Sequence, residues 1–144
     1  MNDATFFHFQ KRVLRILLAW GIGSVAAGTP ALLSRSKVVR QAGIQALAWG
    51  AIDAALAYFG LRTARAKIAS QASDGPAQAR RFRTILLVNS GLDIGYVAGG
   101  LVLARGARGR ADRLGMGLGI LVQGLFLLCY DSIVAWRTGE WIEK

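Results

Sequence analysis

The sequence predicts an all-α polytopic membrane protein, a four-transmembrane-helix bundle built as two tandem parallel helical hairpins. Three observations predict it. More than half of the 144 residues are hydrophobic, and mean hydropathy is +0.38. The charges, 18 Lys+Arg against 8 Asp+Glu, fall in short blocks. Between the blocks lie apolar stretches of about 20 residues, the length that crosses the roughly 30 Å hydrocarbon core of a bilayer. A net charge of +10 raises nucleic acid as a partner. The segregation of charge from apolar runs excludes a soluble basic domain, so no nucleic acid is expected. The chain reads as one membrane domain over 1–144.

The chain begins with Phe6, Phe7 and Phe9 ahead of Lys11 and Arg12. That pattern predicts an interfacial segment over residues 1–12, its helix from Asn2 to Arg12 lying at the headgroups. The first span follows from Val13 to Leu33. Basic residues before it and Val25-Ala26-Ala27-Gly28 within it imitate a secretory signal, but the apolar run is too long and carries Trp20 and Ser24. The second span covers Ala42 to Leu61. A connection over 62–84 prolongs it to about Gln71 and turns at Asp74-Gly75-Pro76, where Pro76 suits the first turn of the next helix. The third span covers Ile85 to Ala104 and the fourth Met116 to Trp136. Backbone groups in hydrocarbon must be paired within their own segment, so all four are helices.

Four spans place both termini on one side. That side holds 11 Lys and Arg, from Lys11 and Arg12 to Arg137 and Lys144, and the other holds 7, including Arg105, Arg108, Arg110 and Arg113. The excess of basic residues predicts cytoplasmic termini. Abundant Ala, Gly and Arg point to a bacterial plasma (inner) membrane. Arg80, Arg81 and Arg83 form a juxtamembrane cluster that suits anionic lipid.

The spans share an internal pattern. Gln45-x-Leu47, Asp53 and Ala57-Tyr58 can be laid over Gln123-x-Leu125, Asp131 and Ala135-Trp136. The pseudo-repeats run over about 13–61 and 82–137. Both begin on the same side, as parallel repeats do.

Asp53, Asp93 and Asp131 carry the chemistry. An Asp at a helix centre costs about 2.5–3.5 kcal/mol on insertion scales, so all three are expected to face the bundle interior or water. In an up-down bundle the second and fourth helices lie across the axis from each other, which brings Asp53 towards Asp131. Asp93 and Ser24 fill the other corners. Asn89, Asp93 and Tyr96 share one helix face by their spacing. Gln45 and Trp49 extend the polar stripe on the second helix, and Gln123 and Tyr130 extend it on the fourth. Gly91, Gly95 and Gly99 form a small-residue ladder that predicts a close helix contact. No Lys or Arg inside the spans neutralises the acids. Protonation, a water-filled cavity or an external cation remain, with Trp20, Trp49, Tyr58, Tyr96 and Tyr130 as aromatic walls for an organic cation. The competing reading makes the acids hydrogen-bonding glue between helices.

Cys129 alone excludes a disulfide framework and is expected to be buried. Lone His8 leaves no histidine partner for catalysis or haem ligation. Walker, dinucleotide-binding, HExxH and nucleophile-elbow motifs are absent from the sequence. In hydropathy and size the chain resembles small four-helix bacterial integral membrane proteins without assigned function. Small drug and metabolite exporters are of similar length, but their essential carboxylate lies in the first helix, and this first span has none. The expectation is a non-enzymatic protein that binds or translocates a proton, metal ion or organic cation at Asp53, Asp93 and Asp131. A homodimer is plausible, because one four-helix unit is thin for alternating access. The alternatives are an accessory subunit holding a lipophilic ligand and, less favoured, a metal-dependent membrane enzyme with the three Asp as ligands. No cofactor is specified.

Overall fold

The computed structural model describes residues 3–142, with side chains from residue 5. Four helices make up the described chain: α1 (Asp3–Ala31), α2 (Lys37–Ala69), α3 (Gly75–Arg105) and α4 (Ala111–Gly139). All four are long and apolar enough to span a membrane. At 1.5 Å per residue, the 33 residues of α2 reach about 50 Å, so the helices project beyond the hydrocarbon.

Local chemistry sets the ends. Pro30 lies in the last turn of α1, where its missing N–H removes a helical bond. The Ser36 side chain then caps α2 by accepting from the Val39 N–H. Pro76 sits in the first turn of α3 as its sequence position predicted. The turn before it is tied by Lys67, which donates to Asp74 at 2.5 Å, and by Gln78, which donates to the same oxygen at 2.9 Å. Arg108 and Gly109, at φ 45° and 82°, turn the chain from α3 into α4.

Helix α1 packs along α2, and α3 packs along α4; the hairpins then meet chiefly through α2 and α4. Glycines permit these close approaches. A methyl group on Gly28 would lie 2.7 Å from the Gly43 carbonyl oxygen, and one on Gly100 would lie 2.9 Å from that of Gly117. On Gly119 it would lie 2.6 Å from Gln45 Cβ, marking the α2–α4 contact. The expected ladder of Gly91, Gly95 and Gly99 makes no such contact. All three are exposed, and a methyl group on any of them would meet open space. Spacing identified a stripe but not the direction in which it points. Cys129 likewise lies exposed on the bundle surface. Its apolar neighbours suit lipid as well as a core.

Residues 3–12 are the first turns of α1 rather than a separate interfacial helix; Asn2 lies outside the described residues. Phe6 and Phe7 are 2% and 1% exposed, packed with Ala79, Phe82 and Trp141. A second apolar cluster of Val13, Leu86, Tyr130, Val134 and Ala135 lies deeper along the bundle. Together they close its terminal end.

Candidate intramembrane acidic site

Asp53 on α2, Asp93 on α3 and Asp131 on α4 are 4%, 3% and 5% exposed. They line one cavity of about 200 Å³. The helical spacing of Asn89, Asp93 and Tyr96 places all three on its wall, and Trp49 joins from α2. Leu17, Leu56, Leu92 and Leu127 are among its apolar lining residues.

The acids differ in their partners. Asp131 lies close to Asp93, with Asn89 beside it on the cavity wall. Asp53 lies within electrostatic reach of both. One oxygen of Asp53 and one of Asp93, each Oδ2, are buried with no hydrogen-bond partner. Buried polar atoms are normally paired, so two orphaned acceptors in one cavity mark a place for a donor or a cation. No three His, Cys, Asp or Glu side chains among the described residues are arranged to hold a metal ion.

The surroundings define the access. On the terminal side lie the apolar clusters around Val13 and Phe6. On the other side Trp49 and Tyr96 meet edge to face at 4.8 Å. Between α2 and α3 the backbones do not pack closely, and Ile52, Leu56 and Leu92 at this seam are 52–60% exposed. The cavity therefore opens sideways, through the α2–α3 seam.

Several expected site residues lie elsewhere. Gln123 accepts a 2.9 Å hydrogen bond from Trp20 and donates at 3.3 Å to Ser24, forming a link between α1 and α4. Gln45 packs its stem against Gly119. The Tyr130 hydroxyl donates to the Val13 carbonyl at 2.9 Å, and its ring stacks with Phe126. Trp20 also stacks on Phe126, while Tyr58 is exposed and pairs with Phe59. Within the repeat, the Asp-x3-Ala-aromatic portion occupies matched surroundings. Asp53 and Asp131 share the cavity, Ala57 and Ala135 are buried, and Tyr58 and Trp136 face outward. The two Gln positions do not match. Leu17, Ile52, Leu56, Leu92 and Leu127 also line the cavity without being legible in the sequence, since an apolar side chain on an apolar helix carries no signal of its own.

A family model, a family of unknown function (DUF6992), matches residues 16–132. The chain belongs to this family. The matched segment holds Asp53, Asp93 and Asp131, so the whole acidic cavity is built within the DUF6992 region. No curated protein and no solved structure matches the chain. Family and fold thus describe a four-helix DUF6992 protein with the composition of a multi-pass membrane protein.

Proposed function

We propose that this protein binds a small organic cation at mid-membrane, held by Asp53, Asp93 and Asp131, and that the role is non-enzymatic. The observation that carries the reading is the pair of orphaned oxygens, Asp53 Oδ2 and Asp93 Oδ2, in one buried cavity. Carboxylates supply the counter-charge. Trp49 and Tyr96 supply aromatic surface, worth about 2 kcal/mol for a desolvated cation over a ring. The apolar walls and the sideways opening suit a ligand that partitions into lipid. A bare metal ion fits less well, because the carboxylates lack a metal-ligand arrangement.

The cation crosses the membrane in this proposal, in a bacterial plasma membrane with both termini cytoplasmic. The basic excess on the terminal side supports that orientation; Lys144, part of it, lies outside the described residues. Translocation needs a second arrangement in which the Trp49–Tyr96 contact opens, and a second copy would provide the partner surface for it. Arg80 and Arg81 are exposed and available to anionic lipid, whereas Arg83 is half-buried beside Gly139.

The second reading is a binding or accessory subunit without transport. The closure of the cavity by apolar clusters on its terminal side favours it. Flux of a permanent organic cation into liposomes, wild type against Asp53→Asn, Asp93→Asn and Asp131→Asn, separates the two. Wild-type flux lost in the variants supports transport. Retained binding without flux supports the accessory role, and flux unchanged in all three variants removes the acidic site from either.

A further inference from the structure

A second cleft, apart from the acidic cavity, lies between α1 and α4 at the terminal rim. It encloses about 250 Å³, and Arg12, Arg137, Phe9, Ile16, Ile133 and Tyr130 are among its lining residues. Arg12 immediately precedes the first apolar span, and Arg137 immediately follows the fourth. The antiparallel course of α1 and α4 brings both to the same membrane boundary. Neither arginine makes an ion pair among the described residues, and both are exposed. Ile16 and Ile133, one turn further into the apolar spans, are half exposed on the outer surface of the bundle. Tyr130 offers no polar group to the cleft, since its hydroxyl is bonded to the Val13 carbonyl. Trp136, 74% exposed beside Arg137, sits where interfacial tryptophans anchor a helix.

We propose that this cleft is a binding site for one anionic phospholipid, with its phosphate between Arg12 and Arg137 and an acyl chain along Ile16 and Ile133. Two unpaired guanidiniums at headgroup depth complement one phosphate, which each can grip with two parallel N–H donors. An added cationic choline would bring positive charge towards both arginines, so a zwitterionic lipid of the same chains is disfavoured. The apolar floor accepts a chain and excludes a free polar anion. The charge of the headgroup and the chain are therefore read by different parts of one cleft.

The test adds phosphatidylglycerol or phosphatidylcholine with identical chains, or inorganic phosphate, to delipidated full-length protein, with bound lipid counted by native mass spectrometry. Phosphatidylglycerol is expected to bind in preference to both others. Each arginine near an anionic surface contributes about 1 kcal/mol, about fivefold in affinity. Arg12→Gln with Arg137→Gln should then weaken binding about 25-fold. Ile133→Trp, which fills the cleft and keeps both charges, should also release the lipid. Helical circular dichroism confirms that each variant is folded, and Arg80→Gln with Arg81→Gln should retain the lipid. Undiminished binding in the Arg12/Arg137 variant, equal binding of inorganic phosphate, or loss only in the Arg80/Arg81 variant overturns the proposal.

Discussion

Trp20 donates a 2.9 Å hydrogen bond to the side-chain carbonyl of Gln123, joining α1 to α4 at a place where their backbones are not in close contact. Gln123 passes the connection on to Ser24 at 3.3 Å. These residues form a structural link outside the acidic cavity. Interhelical hydrogen bonds in membranes average about 0.6 kcal/mol and reach about 1.7. Gln123→Leu should therefore lower stability by about 1–2 kcal/mol in thermal or denaturant unfolding, while cation binding at the cavity stays within twofold of wild type. A large loss of binding with unchanged stability would place Gln123 back in the site.

The glycines divide into two groups with opposite expected outcomes. Gly117→Ala forces a methyl group against α3 backbone, 2.5 Å from the Ala104 nitrogen, and should destabilise by about 1–3 kcal/mol. Gly95→Ala meets open space and should be neutral or stabilising by up to about 1 kcal/mol through helix propensity. Thermal unfolding of the two variants in one detergent checks both. If Gly95→Ala also weakens a dimer seen by cross-linking, the open face of α3 meets a second copy.

The amino-terminal turns are part of the core at the terminal end. Phe6 stands edge-on to Phe7, Phe82 and Trp141. Phe6→Ala should cost about 3–5 kcal/mol, the usual loss for a buried phenylalanine. A cost under 1 kcal/mol would mean that these rings lie at the headgroups, as their sequence alone suggests.

The α2–α3 turn carries a pH dependence. The hydrogen bond from Lys67, followed by that from Gln78, holds the Asp74 carboxyl below its ordinary value of 3.8. A lowered folded-state value stabilises the turn fully above about pH 3.8 and less as pH falls through the lowered value. Amide exchange at Ser70–Gly75, corrected for its intrinsic pH dependence, should rise in that acid window. Asp74→Asn should show the faster exchange already at neutral pH. Equal protection in wild type and variant throughout would show that the ion pair leaves the turn unaffected.

The legibility of this molecule follows the strength of its physical constraints. Hydrocarbon permits few backbone solutions, so four helices could be read from apolar length alone. Burying an Asp is costly enough that Asp53, Asp93 and Asp131 had to face inward, and the i, i+4, i+7 spacing brought Asn89 and Tyr96 with Asp93. Weaker constraints left more open. A glutamine is cheap enough to serve either as ligand or as glue, so Gln45 and Gln123 could not be assigned from spacing. A glycine face has no preferred partner in sequence, and Gly91–Gly95–Gly99 therefore pointed to a contact that Gly100 and Gly117 make instead. Phe6 and Phe7 resemble interfacial anchors until Ala79 and Phe82 are seen to cover them.

Charge-selective binding in the cavity of Asp53 and Asp93 is tested most directly by a matched pair of probes. Benzyltrimethylammonium and its neutral isostere neopentylbenzene have nearly the same shape and differ in charge. Binding of each to purified protein, followed by Trp49 fluorescence in a Trp20→Phe, Trp136→Phe and Trp141→Phe background, measures what the carboxylates contribute. The cation should bind at least about tenfold more tightly than the isostere, a difference of about 1.4 kcal/mol. Asp53→Asn and Asp93→Asn should each remove most of that preference. Equal binding of the two probes, or a cation preference that survives both substitutions, would contradict the account.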